Sequence, residues 1–190
     1  LTTSRDRGWP AVTWGGAPLS RSIGGLAASV TVDGKPVPSD AAVGGDAEGS
    51  RVAYQSEAGV LADLIEPFDR FPNCVARRLT FENAKDKQRD LTGADLRVAP
   101  VAPAGAKAWQ AQSFAMVECS PGGPTLCVAF TSDEDHWGRQ LGMDPQPVVT
   151  HHSNATWRLP PGGTATIGTQ YLWVVDGDLE KARASAQDWY

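Results

Sequence analysis

The chain has 190 residues, 41% of them hydrophobic and 21% charged, with a net charge of −5 and a pI of about 5.1. That length buries an ample core, as one large domain or two small ones. The acidic balance argues against nucleic acid and anionic membranes as partners, because phosphate binding needs a basic face, and no apolar run approaches the roughly 20 residues of a membrane helix.

The start, Leu1-Thr2-Thr3-Ser4-Arg5-Asp6-Arg7, has no apolar core of a signal peptide. The stretch to about Gly25 is rich in Gly, Pro and Trp with weak periodicity, and Trp9 and Trp14 anchor it as an edge strand or a coil. Ala28–Val32 runs into Asp33-Gly34 and then Lys35-Pro36-Val37. Asp-Gly between β-prone residues signals a hairpin, and Pro36 and Pro38 send its second arm to a sheet edge. Ala41–Ser50 is small, polar and Gly-rich and reads as a flexible loop.

Strand candidates then follow at even spacing: Arg51–Glu57, Val60–Pro67, Val75–Glu82, Ala94–Val101, Ala108–Cys119, Leu126–Thr131, Val148–Leu159 and Thr164–Val175. Turn signals such as Phe71-Pro72-Asn73, Ala84–Arg89, Pro121–Pro124 and Pro160–Gly163 separate them. Many strands with such breaks predict a sandwich, and several exceed the usual strand length of about five to six residues. The fold class expected is therefore all-β: a large antiparallel β-sandwich with one C-terminal helix. The helix is Asp178–Tyr190, with Leu179, Ala182, Ala186 and Trp189 on one face. Acids in its first turn suit the helix dipole. It ends on two large aromatics with no cap or breaker, which gives the expectation of a β-domain over residues 1–177 and the start of a linker helix, 178–190, into a further domain.

The polar cluster Thr131–Trp137 holds Asp133, Glu134, Asp135 and His136 at a strand end. Such a set can bind a hard cation or supply an acid and a base, although its spacing matches no calcium loop and a charged loop capped by Trp137 explains it more simply. His151-His152 is a second candidate. Neighbours in a strand face opposite ways, so only one can face a site, and sheet-surface histidines are the plain alternative. Arg77-Arg78 reads likewise as two charges flanking an edge or a face. Sugar rings stack on exposed indoles. Trp109, Trp157 and Trp173 sit at alternating strand positions that suit a core, whereas Trp14 and Trp137 lie in loop-like surroundings. The carbohydrate-binding candidates are thus Trp14, Trp137, Asp133, Asp135 and His136.

No phosphate loop, no Gly-x-Ser-x-Gly elbow and no histidine pair at helical spacing is present, so neither cofactor nor metal nor a catalytic residue is assigned. Asp63, Glu66 and Asp69 are close in sequence, but alternation sets Asp63 and Ile65 against Leu64 and Glu66. Cys119 and Cys127 flank a turn and can face each other on a hairpin as a disulfide, or stay buried thiols. Asn154-Ala155-Thr156 fits an N-glycosylation acceptor.

Three stretches together resemble a known architecture. Pro72–Asn83 is similar to the strand ending in a Phe-x-Asn corner in N-terminal β-domains of carbohydrate enzymes. Leu159–Thr166 resembles the turn and strand that close such domains, and Tyr171–Ala182 the passage from last strand to linker helix. Their order resembles the galactose mutarotase-like super-sandwich, which precedes a catalytic barrel in several glycoside hydrolases and phosphorylases. The resemblance implies a non-catalytic domain that packs on and supports the barrel of the same chain. It carries over no catalytic acid, and Leu1–Gly25 departs from it. Two rivals stand beside this expectation. One is a carbohydrate-binding module with Trp platforms for oligosaccharide. The other is a mutarotase-like epimerase using His136, His151 or His152 with an acid from Asp133–Asp135.

Overall fold

A computed structural model describes residues 1–6, 9–21, 26–38, 42–45, 51–71, 73–111, 114–131, 137–142 and 146–186. Its strands begin with β1 (Thr2–Asp6), β2 (Trp9–Trp14), β3 (Ala17–Pro18), β4 (Leu26–Val32), β5 (Lys35–Pro38) and β6 (Ala42–Gly45). Next come β7 (Arg51–Gln55), β8 (Val60–Pro67), β9 (Cys74–Glu82), β10 (Arg89–Val98), β11 (Ala108–Gln110) and β12 (Phe114–Glu118). The series closes with β13 (Thr125–Thr131), β14 (Trp137–Gly142), β15 (Val148–Ser153), β16 (Trp157–Leu159), β17 (Thr164–Val175) and a helix, α1 (Leu179–Ser185).

Pairing is antiparallel in all three sheets among the described residues. Strands β1-β2-β3 form a small sheet, β14-β15-β10-β4-β5 with β16 on β10 a six-stranded one, and β11-β12-β13-β17-β9-β8-β7-β6 an eight-stranded one. The two large sheets face each other, as the expected all-β sandwich requires. The Asp33-Gly34 hairpin forms as expected, with both residues at positive φ, and Pro36 and Pro38 lie on the edge strand β5.

Several boundaries differ from the sequence reading. Ala41–Ser50 is not all loop, because β6 pairs with β7 there. Its small residues carry no alternating side-chain signal. The Ala108–Cys119 run is two strands, β11 and β12, folded back on each other. Val148–Leu159 is likewise split, so that β15 and β16 pair with successive parts of β10. Strand β10 starts at Arg89, inside a stretch read as a turn. The first residues are strands rather than coil, and Val12 and Leu19 enter the interior.

Alternation explains the packing. Leu26, Ala28, Val30 and Val32 of β4 are buried, with the residues between them half-buried. Two apolar clusters fill the space between the sheets. The first joins Val30, Val32, Leu91 and Leu96 to Tyr54, Leu61, Leu79, Phe81 and Ile167. The second joins Leu26, Val98 and Val149 to Ile65, Val75, Val117, Leu126, Leu172 and Val174. Strand β17 serves both because a bulge between Thr166 and Gly168 shifts its register. Ala165 and Ile167 face inward before it, and Gln170, Leu172 and Val174 after it. Gly168 is required at the bulge, since a Cβ there would lie 2.2 Å from the Phe130 ring.

A third cluster covers part of the outer face of the eight-stranded sheet. Phe114, Met116, Cys127, Ala129 and Trp173 are buried there under Leu179, Ala182 and Ala186 of the helical segment. Strands β12 and β13 are therefore apolar on both faces, which is why they read as continuous hydrophobic runs. Asp178 caps α1, its Oδ1 accepting from the Lys181 amide at 3.0 Å. A helix this short is marginal alone, and the sheet face provides the surface that its apolar stripe needs. The expected packing of Trp189 and Tyr190 lies outside the described residues.

Candidate functional site

Asp133, Asp135 and His136 lie outside the described residues, as does Glu134. The backbone of Trp137 begins β14, opposite Ser153. Trp14 is half-buried and packs against the second interior cluster. Trp173 is buried, as expected, whereas Trp109 and Trp157 are only half-buried.

The densest polar constellation among the described residues is inside the sandwich. Arg77 is not a surface or edge charge: it is fully buried on the central strand β9, while Arg78 is exposed. Arg77 Nε donates to both Asp63 carboxylate oxygens at 2.9 Å, and Nη2 donates to Oδ2 at 2.5 Å. Nη1 donates to Gln170 Oε1 at 3.0 Å and to the Arg97 carbonyl of the facing sheet at 3.1 Å. Gln170 Nε2 lies 2.9 Å from His151 Nδ1. Because Gln170 Oε1 accepts from a guanidinium, its amide nitrogen must face His151, so Nδ1 accepts and the ring proton resides on Nε2. His151 is 1% exposed and stacks on Phe130 with ring centroids 5.0 Å apart. It is an interior group and not the sheet-surface histidine that the sequence suggested. The row Asp63–Arg77–Gln170–His151 forms a polar seam between the two apolar clusters. Each member holds another in place, an arrangement that fixes structure and leaves no opening for a substrate.

His152 faces the other side of the sheet. Its Nδ1 lies 2.6 Å from Asp95 Oδ1 and its Nε2 2.7 Å from Asn154 Oδ1. The Asp95 hydrogen bond, followed by that to Asn154, raises the His152 pKa above its ordinary value. Register places Ser29, Asp95 and His152 side by side on three strands. Ser29 Oγ donates to Asp95 Oδ2 at 3.4 Å, so the carboxylate stands between hydroxyl and imidazole. A nucleophilic triad needs the imidazole next to the hydroxyl, and this row does not provide it. The side chains of His152 and Asp95 are 51% and 39% exposed, so solvent screens the pair and its contribution is small. His151 and His152 thus point to opposite sides, as neighbours in a strand must, and the acids Asp133–Asp135 expected beside one of them lie outside the described residues.

A groove of about 380 Å³ lies between the edge strand β11 and α1, lined by Trp109, Ala111, Phe114, Glu180, Arg183 and Ala186. The Arg183 guanidinium sits 5.1 Å from the Trp109 ring centroid and is 3.2 Å from Glu180 Oε1. The groove joins residues more than 70 positions apart in a chain of 190, which is why strand alternation alone assigns Trp109 to the core. Among the described residues, no group of three or more metal-ligating side chains converges.

All three cysteines are free thiols. Cys127 pairs in register with Met116 and not with Cys119, which lies beyond the end of β12, so the hairpin disulfide does not form. Burial pushes the Cys74 thiol up to about 12 and the Cys119 thiol up to about 11, and pushes Cys127 up further, with Cys119 beside it adding to the rise. A thiol reagent at about pH 8 is therefore expected to leave Cys74 and Cys127 unlabelled in the folded protein, with slow reaction at half-buried Cys119. All three should label in denaturant. Fast native labelling of Cys74 or Cys127 would contradict the packing of the outer cluster.

The fold and this site define an all-β sandwich with a polar interior seam and an open groove between β11 and α1. No protein-family model matches the sequence, and no curated protein matches it. Solved structures are similar in fold. A polysaccharide lyase superposes with a TM-score of 0.55 at 14% identity, covering 83% of this chain and 27% of its own. The GH36 α-galactosidases AgaA (the A355E variant, with 1-deoxygalactonojirimycin) and AgaB of Geobacillus stearothermophilus align at 12% identity with TM-scores of 0.43 and 0.42. Each alignment covers 90% of this chain and 32% of the galactosidase, a likeness too distant to carry an argument. The chain spans less than a third of each of these proteins.

Proposed function

We propose that this chain is a non-catalytic β-domain of a carbohydrate-active enzyme, of the galactose mutarotase-like super-sandwich kind, which packs on and supports a catalytic barrel. The observation that carries the reading is the domain-sized share of its structural likeness: most of this chain corresponds to about a quarter of a polysaccharide lyase. The internal commitments of its polar groups support it. Asp63 and His151 are locked in the seam, and Asp95 and His152 are held by each other and by Ser29 and Asn154. The described part of the chain then supplies shape and surface, and the reaction belongs to its neighbour.

The test compares the longer chain that this reading implies with the same chain lacking residues 1–177. Removal is expected to lower the melting temperature of the catalytic domain by several degrees and to reduce its turnover, while the 190-residue piece alone leaves glycosides and polysaccharides intact. Turnover by the piece alone, or a catalytic domain indifferent to its removal, overturns the proposal. A binding-module role is favoured by one observation, the half-buried Trp109 at the edge of the groove.

A further inference from the structure

We infer that the groove between β11 and α1 is a binding subsite for one or two neutral pyranose units. The inference rests on the carbohydrate reading above and gives it a location. Its first support is shape: about 380 Å³ of open groove, within the range of small-ligand sites. Its second is the division of the lining into an apolar wall and a polar rim. Trp109, Phe114, Ala111 and Ala186 supply aromatic and methyl surface, and Glu180 and Arg183 supply the rim.

A pyranose matches that division, because it has an apolar C–H surface and a belt of hydroxyls that both donate and accept. Glu180 is acceptor-only and the Arg183 guanidinium donor-only. Side by side, they can take the two partners of a vicinal diol, the carboxylate accepting from one hydroxyl and the guanidinium donating to the next. The guanidinium is preorganised, since the Trp109 ring and the Glu180 carboxylate both hold it. It occupies one face of the indole, so a ligand meets the indole edge rather than a bare ring. The paired charges cancel at the rim. An anionic sugar would meet Glu180 and an ammonium ligand would meet Arg183, which is why the class assigned is neutral.

The rim pair can be tested without unfolding the domain, because the Glu180 side chain is 77% exposed and that of Arg183 44% exposed. The 190-residue chain is titrated with neutral gluco-, galacto- and xylo-oligosaccharides of two to four units, and with an oligouronate, by calorimetry and tryptophan fluorescence. At least one neutral oligosaccharide is expected to bind. Glu180→Gln should weaken it several-fold and Trp109→Ala about tenfold or more, the latter equal to about 1.4 kcal/mol. Arg183→Met should weaken it as well, with the Glu180→Gln melting temperature unchanged. Absence of binding by any neutral sugar overturns the inference, and so does binding that survives Glu180→Gln and Trp109→Ala. Preference for the oligouronate, lost in Arg183→Met and kept in Glu180→Gln, overturns the neutral class. None of these outcomes bears on whether the domain supports a barrel, which the truncation experiment decides separately.

Discussion

Replacing Arg77 with methionine is expected to cost about 3–5 kcal/mol of unfolding free energy. The loss comes less from the missing attraction than from what remains. Asp63 is fully buried on the neighbouring strand, and without the guanidinium its carboxylate has no counter-charge and no route to water. Gln170 Oε1 and the Arg97 carbonyl lose a donor as well, at about 1–3 kcal/mol for each buried group left unsatisfied. The double variant Asp63→Leu with Arg77→Met removes both charges, and its loss should be smaller than the sum of the two single losses. Urea unfolding followed by tryptophan fluorescence measures all four corners of the cycle. A single Arg77→Met variant within about 0.5 kcal/mol of the parent, the range of an ordinary surface change, would falsify the buried pair.

Phe81→Ala is the second large effect, at about 3–5 kcal/mol. Phe81 is 0% exposed and lies in the first interior cluster, between the two sheets. Removing the ring opens a cavity against Leu79, Leu61 and Ile167, whose positions on rigid strands limit collapse. The ring also approaches Gly59 so closely that a Cβ there would lie 2.6 Å from its tip and 2.2 Å from the Glu82 carbonyl oxygen. Gly59→Ala is therefore expected to destabilise by about 1–3 kcal/mol as an overpacking change. The Phe81→Ala variant should not rescue it, because the backbone carbonyl remains. Rescue would mean that the ring alone sets the constraint at that turn.

The elements most legible in the sequence were those where alternation and turn chemistry agree. Strand β8 runs over Val60–Pro67 and β17 over Thr164–Val175, as expected, because each is a β-prone run bounded by turn residues. The Asp33-Gly34 turn was readable for the same reason. Strand β6 was not, since Ala42–Gly45 carries almost no side chain by which a strand can be recognised. Strand β11 ends at Gln110 and β12 begins at Phe114, and the sequence between them holds no Gly or Pro.

The groove was illegible for a different reason. Its wall and rim come from an edge strand and a helix brought together only by the fold, and Trp109 has the spacing of a core residue. Arg77 shows the reverse problem. A charge within a strand reads as surface from its own neighbours, and only the partner on β8 and the facing sheet's carbonyl explain how it is buried. Trp14, a candidate for exposure from its loop-like surroundings, is half-buried and packs against the second cluster.

The polar seam has a consequence for how the strands find their places. Hydrophobic alternation punishes a slip of one residue, because it turns the apolar set outward. A slip of two residues preserves the alternation, and on apolar side chains alone the penalty is modest. In β8 and β9 the slip that sets Arg77 opposite Pro67 rather than Ile65 moves it roughly 7 Å farther from Asp63 and leaves both charges inside the sandwich without each other. The pair thus distinguishes alignments that greasy residues treat as near equals. The two buried charges therefore act as a one-way stop, excluding the slips that pull them apart.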